Sequence, residues 1–217
     1  MLEEKCEMVL CIKCKVDECN NNILCKNGKY GGYCRKHYQQ LKLYGKILKR
    51  THKDKNKIID CGDYYEIILY GFAKKGEEPK EIARTKIDKE DLDKVKKYKW
   101  CSNGDGYAIT IINKKAIFLH HLVLGNPLMG YEVDHIFGDR LDNRKSKLRF
   151  ATHSQNEMNK KAKGYSWHKK NKKWMARIKI NRKNIYLGLF NDEQDADKAR
   201  KEAELKYFGE FAYKETN

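Results

Sequence analysis

Asp134 and His135 stand side by side at the end of a short apolar run, Tyr131 to Val133, and two amides, Asn156 and Asn159, follow downstream. A carboxylate with an amide carbonyl is a hard-oxygen set, suited to a magnesium ion that keeps several waters and binds phosphate oxygens. Either amide could complete such a site facing Asp134. An imidazole beside it is a natural general base, because its ordinary pKa lies near neutrality. A second group is Cys14-Lys-Val-Asp-Glu-Cys19 followed by Cys34-Arg-Lys-His37. Two close pairs of thiolate and imidazole donors separated by a loop are what a tetrahedral structural zinc site requires. Cys11 lies three residues before Cys14 in a Cys-x-x-Cys, so it is an alternative ligand, and Cys6 and Cys25 add further thiols.

The elements that must position the first group read as strand, loop, strand, helix. The run ending at Asp134-His135 is followed by the polar loop Gly138 to Lys147, then Leu-Arg-Phe-Ala. Overlapping Thr-x-x-Gln and Ser-x-x-Glu capping signals open a helix near Ser154. Neighbours on a strand point to opposite faces, which lets Asp134 grip a cation while His135 addresses a water.

The stretch VDHIFGDRLDNRKSKLRFATHSQNEMNKK resembles the HNH homing-endonuclease motif of phage and intron-encoded nucleases. That resemblance implies a ββα-metal core over 131–161 in which His135 activates water against a DNA phosphodiester. Asp134 and Asn156 would hold one magnesium or manganese ion, with Arg144 and Arg149 as DNA contacts. The motif departs at Lys147, where the family carries the Asn that pins the loop orienting the histidine. Asn143, in the matching Asp-Asn-Arg, is the candidate to share that task. Likewise CKVDEC followed by GGYCRKHYQQLKLYGK resembles a small zinc-binding segment found ahead of some phage HNH nucleases, and supports Cys14, Cys19, Cys34 and His37 as the ligand set.

The chain has 217 residues, 40% hydrophobic and 35% charged, with a formal net charge of +17. That composition favours several small modules over one large core and points to a polyanionic partner. Charge is segregated: no acid occurs from Asn20 to Lys53 or from Met158 to Asn191, whereas Asp60 to Asp93 holds ten acids against six bases. No long apolar run, lipidation signal or secretory leader is read, so double-stranded DNA is expected rather than a membrane, in a soluble cytoplasmic protein of phage or bacterial host. Structural disulfides are not expected there.

In the N-terminal module, Tyr38, Leu41 and Tyr44 form an apolar stripe at helical spacing. In the middle, Tyr64 to Phe72 and Tyr107 to Leu119 read as strands flanking a short helix that Asp88 caps, with Leu92 and Val95 inward. His120 and His121 end the second run, one facing the core and one the site. Near the C-terminus, Trp-Met-Ala-Arg-Ile-Lys-Ile alternates between an apolar face and a basic one, a second strand follows, and Asn191 opens a helix whose stripe is Ala196, Ala199, Ala203 and Tyr207. These elements resemble the Apetala-type (ethylene-response-factor) DNA-binding domain. That likeness implies contacts from the sheet to the major groove by Arg177, Lys179 and Tyr186, with His168 and Lys169 near phosphate.

The expected fold is therefore α+β: a zinc-binding module and basic linker over 1–57, a mixed scaffold leading into the ββα core over 58–161, and a three-stranded antiparallel sheet packed on one helix over 162–217. The expected activity is metal-dependent, site-directed DNA cleavage by a monomer. The alternative is a DNA-binding protein that keeps this fold without cutting.

Overall fold

A computed structural model describes residues 13–17, 19–21, 23 and 31–214. Cys6, Cys11 and Cys25 lie outside these residues. The chain is mixed α+β with several small antiparallel sheets. It gathers into two compact units. One takes in the described residues up to Asp54 together with Tyr70–Glu81; the other takes in Lys55–Leu69 and the described residues from Ile82 onward. No helix among the described residues is long and apolar enough to cross a membrane.

The first unit is built on α1 (Arg35–Tyr44), which ends where Gly45 takes the left-handed conformation and donates to the Leu41 carbonyl. Its most buried positions are His37 and Gln40, while Tyr38, Leu41 and Tyr44 are only half-buried. Polar contacts explain the difference, since Gln40 Oε1 accepts the Leu48 amide at 3.2 Å and His37 turns toward the cysteines. Residues 70–81, expected with the scaffold, pack into this unit instead. The Glu78 carboxylate accepts the Lys49 amide at 2.7 Å, and the Arg50 guanidinium sits 3.9 Å from the Tyr70 ring centre.

In the second unit, β1 (Ile58–Asp60), β2 (Tyr64–Tyr70) and β3 (Glu81–Asp88) form one sheet, in that order. Buried Ile67, Leu69, Ile87, Val95, Trp100, Ala108, Leu119, Val123 and Leu148 make one core. Asn56 ties its edge: Nδ2 donates to the carbonyls of Ile68 and Trp100, and Oδ1 accepts the Trp100 amide. The acidic stretch opens as a turn over Lys89–Asp91 before α2 (Leu92–Val95). Asp88 makes no side-chain cap there. Its carboxylate instead accepts the Lys145 amide at 2.7 Å.

The run expected as one strand over 107–119 is folded back on itself. After β4 (Cys101–Ser102), β5 (Ala108–Ile112) and β6 (Lys115–Phe118) pair across a two-residue turn whose Asn113 and Lys114 have φ of 49° and 63°. Two successive left-handed residues are the signature of the hairpin turn that matches strand twist. His120 and His121 therefore lie on α3 (Leu119–Leu124), not on a strand.

Next, β7 (Tyr131–His135) and β8 (Leu148–Thr152) pair antiparallel, with Asp134 opposite Arg149 and His135 opposite Leu148. Thr152 and Gln155 close a full capping box on α4 (His153–Met158). Last, β9 (Tyr165–His168), β10 (Lys173–Ile180) and β11 (Lys183–Phe190) form an antiparallel sheet in the order β11-β10-β9. Helix α5 (Glu193–Phe208) packs on it. Asp192 rather than Asn191 caps α5, accepting the Gln194 amide. Its buried positions are Ala196, Arg200, Ala203 and Phe208, so the helix ends on Phe208 rather than Tyr207. Arg200 is tolerated inside because it donates to the Arg177 carbonyl at 2.6 Å and pairs with Glu204 at 2.7 Å. Met158 packs on the Ile178, Ala203, Phe208 and Ala212 cluster, joining the β7-β8-α4 unit to this sheet and helix.

Trp100 is 1% exposed and its indole N–H donates to the Val95 carbonyl at 3.0 Å. Trp100→Ala is expected to cost roughly 3–5 kcal/mol, read as a lower urea midpoint.

Candidate functional site

The Asp134-His135 pair sits where β7 ends, and its two side chains face opposite ways. Asp134 looks toward α4 and His135 toward the loop over residues 136–147. On the helix side, Glu132 and Asp134 are two apart on one face of β7, and each meets an amide from the α4 segment. Asn156 Nδ2 donates to Glu132 Oε2 at 2.7 Å. Asn159 Nδ2 donates to both oxygens of Asp134, at 2.9 and 3.1 Å, and to the His135 carbonyl at 2.8 Å. The expected pairing of Asp134 with Asn156 is thus not made. Asn159 takes that place, because Glu132 holds Asn156 one step nearer the start of the strand. Asn159 Oδ1, at the other end of the amide from the Nδ2 that faces Asp134, is buried without a hydrogen-bond partner. A buried acceptor of this kind is costly unless something fills it.

On the opposite side His135 is 5% exposed and Asn143 only 1%. His135 Nε2 lies 3.3 Å from Asn143 Oδ1. The amide's orientation can be read from its other contacts. The Thr85 hydroxyl donates to the Leu141 carbonyl at 2.8 Å, so its oxygen accepts from Asn143 Nδ2, also at 2.8 Å. Nδ2 has the same Leu141 carbonyl at 3.3 Å. Asn143 Oδ1 is therefore an acceptor, His135 Nε2 carries the proton, and Nδ1 of the neutral imidazole keeps its lone pair. Burial pulls His135 below the ordinary histidine value, against the Asn143 hydrogen bond and the nearby Asp134 charge, which pull it up. Near neutral pH the imidazole is then in its basic form.

Tyr107, Phe118, His120 and His121 wall this side. The His120 and His135 rings meet edge to face at 5.3 Å, and Phe118 stacks on His120 at 5.1 Å. Burial, with smaller contributions from His135 and His121, pushes His120 down to about 3. Thr85 on β3 was not legible as a site residue, since nothing local in its sequence signals a partner 58 positions away. Glu132 was missed too, although its two-residue spacing to Asp134 on one strand face is a signal that could have found it.

Two of the three arginines expected to meet DNA are paired within the chain. Arg149 Nε donates to Asp134 Oδ2 at 2.8 Å, Nη1 donates to the Glu210 carbonyl at 2.7 Å, and the guanidinium lies 4.2 Å from the Phe211 ring centre. Arg144 forks onto Asp142 through Nε and Nη2 and sits over Tyr64. Lys147 places its ammonium over the Phe137 ring at 4.7 Å, and its carbonyl accepts the Ile136 amide.

In the N-terminal unit the donor atoms of Cys14, Cys19, Cys34 and His37 all lie within 4.8 Å of one another, so this cluster could hold a metal ion. Burial pushes the Cys14 thiol up, but hydrogen bonds with His37 and from the amides of Cys34 and Val16 outweigh it and bring the thiol to about 6. Burial raises Cys19, and a bound cation is what would hold all three sulfurs as thiolates. On the C-terminal sheet Arg177 and Lys179 are exposed and lie opposite Tyr186 and Asn184 on one outer face. His168 Nδ1 accepts the Asn171 amide of its own turn, while Lys169 is exposed.

Two outcomes follow from this geometry. His120 has a lower proton affinity folded than unfolded, so the unfolded chain binds more protons between about pH 6.5 and 3, and stability falls as pH drops through that window. His120→Asn should make the fall in urea midpoint from pH 7 to 5 shallower than in wild type; an unchanged slope would refute it. Asn143→Ala strips partners from Thr85 and His135 and should cost about 1–3 kcal/mol in the same assay.

No family model, curated protein or solved structure matches the chain, and its activity is to be read from its own residues.

Proposed function

We propose that this chain is a metal-dependent DNA endonuclease of the HNH type. The observation that carries this reading is buried Asp134 bound by Asn159, an amide whose Oδ1 has no hydrogen-bond partner, one residue from a histidine whose Nδ1 lone pair is left free by Asn143. Asp134 would hold magnesium or manganese together with Asn159 once that amide turns its Oδ1 in place of its Nδ2 toward the carboxylate, and such a hard-oxygen pair fits either ion. The ion would supply charge stabilisation at the phosphate and leaving oxygen. His135 Nδ1 takes a proton from a water, whose oxygen forms the new bond to phosphorus as the bond to the leaving sugar oxygen breaks. Asn143 holds the ring by Nε2 throughout. It thereby does what the resemblance assigns to the position that Lys147 occupies.

Zinc is the ion best suited to the cysteine and histidine cluster. With zinc–sulfur bonds of about 2.3 Å and zinc–nitrogen bonds of about 2.0 Å, a tetrahedron has edges of roughly 3.5–3.8 Å. Cys19 and Cys34 sulfurs are 3.9 Å apart, and His37 Nδ1 lies 3.2 Å from Cys14 and 3.5 Å from Cys34. Duplex DNA is the partner, with the outer face of β9, β10 and β11 as the reader. Arg177 and Lys179 have exposed side chains there, and Tyr186 supplies an exposed ring opposite Arg177. The second reading, a DNA-binding protein that does not cut, draws on one observation: Asp134 already has Arg149 as a partner.

With magnesium or manganese, wild type should nick supercoiled DNA, and His135→Ala should slow cutting by roughly 10²–10⁴-fold. Asn159→Ala should lose activity with it while Asn156→Ala retains most. Binding to DNA without cutting by wild type across both metals would favour the second reading. Purified protein should carry about one equivalent of zinc, lost in Cys34→Ser, by elemental analysis.

A further inference from the structure

Arg149 is held at both ends of its guanidinium by the chain's own groups, with 14% of its side chain exposed. Its Nε donates to Asp134 Oδ2 and its Nη2 lies 2.8 Å from the same oxygen. The opposite corner, Nη1, donates to the Glu210 carbonyl, and the flat face covers Phe211. Glu210 and Phe211 belong to a short turn over Gly209–Phe211 that follows α5. The same C-terminal stretch reaches the loop beyond His135, where the Tyr213 ring would lie 3.7 Å from a Cβ on Gly138. The hairpin register accounts for the ion pair, since Asp134 and Arg149 are directly opposed and cross-strand neighbours share a face.

This arrangement engages both oxygens of the carboxylate. Asp134 Oδ2 accepts from Asn159 and Arg149, and Oδ1 accepts from Asn159. A divalent cation at Asp134 would lie within a few ångströms of the guanidinium, and two positive partners on one buried carboxylate repel each other. Removing Arg149 alone, without a replacement cation, would leave Asp134 buried and uncompensated. The guanidinium can give up the carboxylate at low cost only where another anion accepts its fork, and a phosphodiester does so with matching geometry.

We propose that Arg149 is the resident counter-ion of Asp134, clamped by Glu210 and Phe211, and that a divalent cation loads as Arg149 transfers to a DNA phosphate. The inference rests on the metal-site reading given above. Arg149 is in this account a positioning residue: it couples the C-terminal segment to the carboxylate, and metal binding is weak without DNA and strengthened by it.

The test is a manganese titration of the full, zinc-loaded chain, followed by the spin-resonance signal of free manganese, with and without a short duplex. Without DNA, Arg149→Gln should bind manganese roughly tenfold more tightly than wild type, and Phe211→Ala should shift the same way by less. Duplex should tighten manganese binding in wild type and do so far less in Arg149→Gln. Equal or weaker binding in Arg149→Gln and Phe211→Ala, with the far-ultraviolet circular dichroism of wild type, would overturn the proposal. Asp134→Asn separates the two levels. If it binds manganese as wild type and Arg149→Gln do, the ion does not sit at Asp134 and the metal-site reading itself falls, taking this inference with it.

Discussion

The structure depends on one buried amide. Asn143 donates to the Thr85 hydroxyl and the Leu141 carbonyl and accepts from His135, so a single side chain connects β3, the loop and the end of β7. The backbone repeats the connection, as the Asn143 amide donates to the Lys86 carbonyl and the Lys86 amide to the Leu141 carbonyl. Lys145 adds a third tie through Asp88. A loop of this length would otherwise carry unsatisfied polar groups next to the core, at a cost of about 1–3 kcal/mol each. The β1-β2-β3 sheet is therefore more than a spacer, because it provides the fixed edge against which the imidazole is oriented.

Elements with a strong local signal were legible. The strand, loop, strand and helix around Asp134 and His135 rest on alternation and a Thr-x-x-Gln box, and Thr152 and Gln155 close that box. The alternation of β10 placed Ala176 and Ile178 inside and Arg177 and Lys179 outside, as found. What failed depended on pairing between distant segments or on weak turn chemistry. The hairpin at Asn113-Lys114 lacks the glycine that announces such turns, and lysine seldom takes positive φ, so the run looked continuous. Asn156 and Asn159 are both within reach of β7 by spacing alone, and only the presence of Glu132 decides between them. Arg149 and Arg144 resembled DNA contacts because their acidic partners are recognised only once the hairpin register and the fold of the loop are known.

The modules divide the physical work. Thiol and imidazole donors gather α1 and its preceding segment in a unit whose described residues form little apolar core, the circumstance in which a metal contributes most to folding. The second unit has a continuous core around Trp100 and can hold polar residues such as Thr85 and Asn143 at full burial because each is hydrogen-bonded. On the last sheet, small residues at Ala196 and Ala203 let α5 lie close, and the basic outer face stays clear of that packing. In the proposed binding of duplex DNA, positive charge at such a face would supply affinity that is independent of sequence, while the ring and guanidinium of Tyr186 and Arg177 would offer contacts that depend on it.

The proposed cleavage turns on the proton carried by His135, because a free Nδ1 is what would allow the imidazole to take a proton from water. Nitrogen-15 correlation spectra of the full chain near neutral pH measure this directly. The account predicts a neutral His135 ring protonated at Nε2, and a loss of that preference in Asn143→Ala. A ring protonated at Nδ1, or one fully charged at that pH, would contradict it.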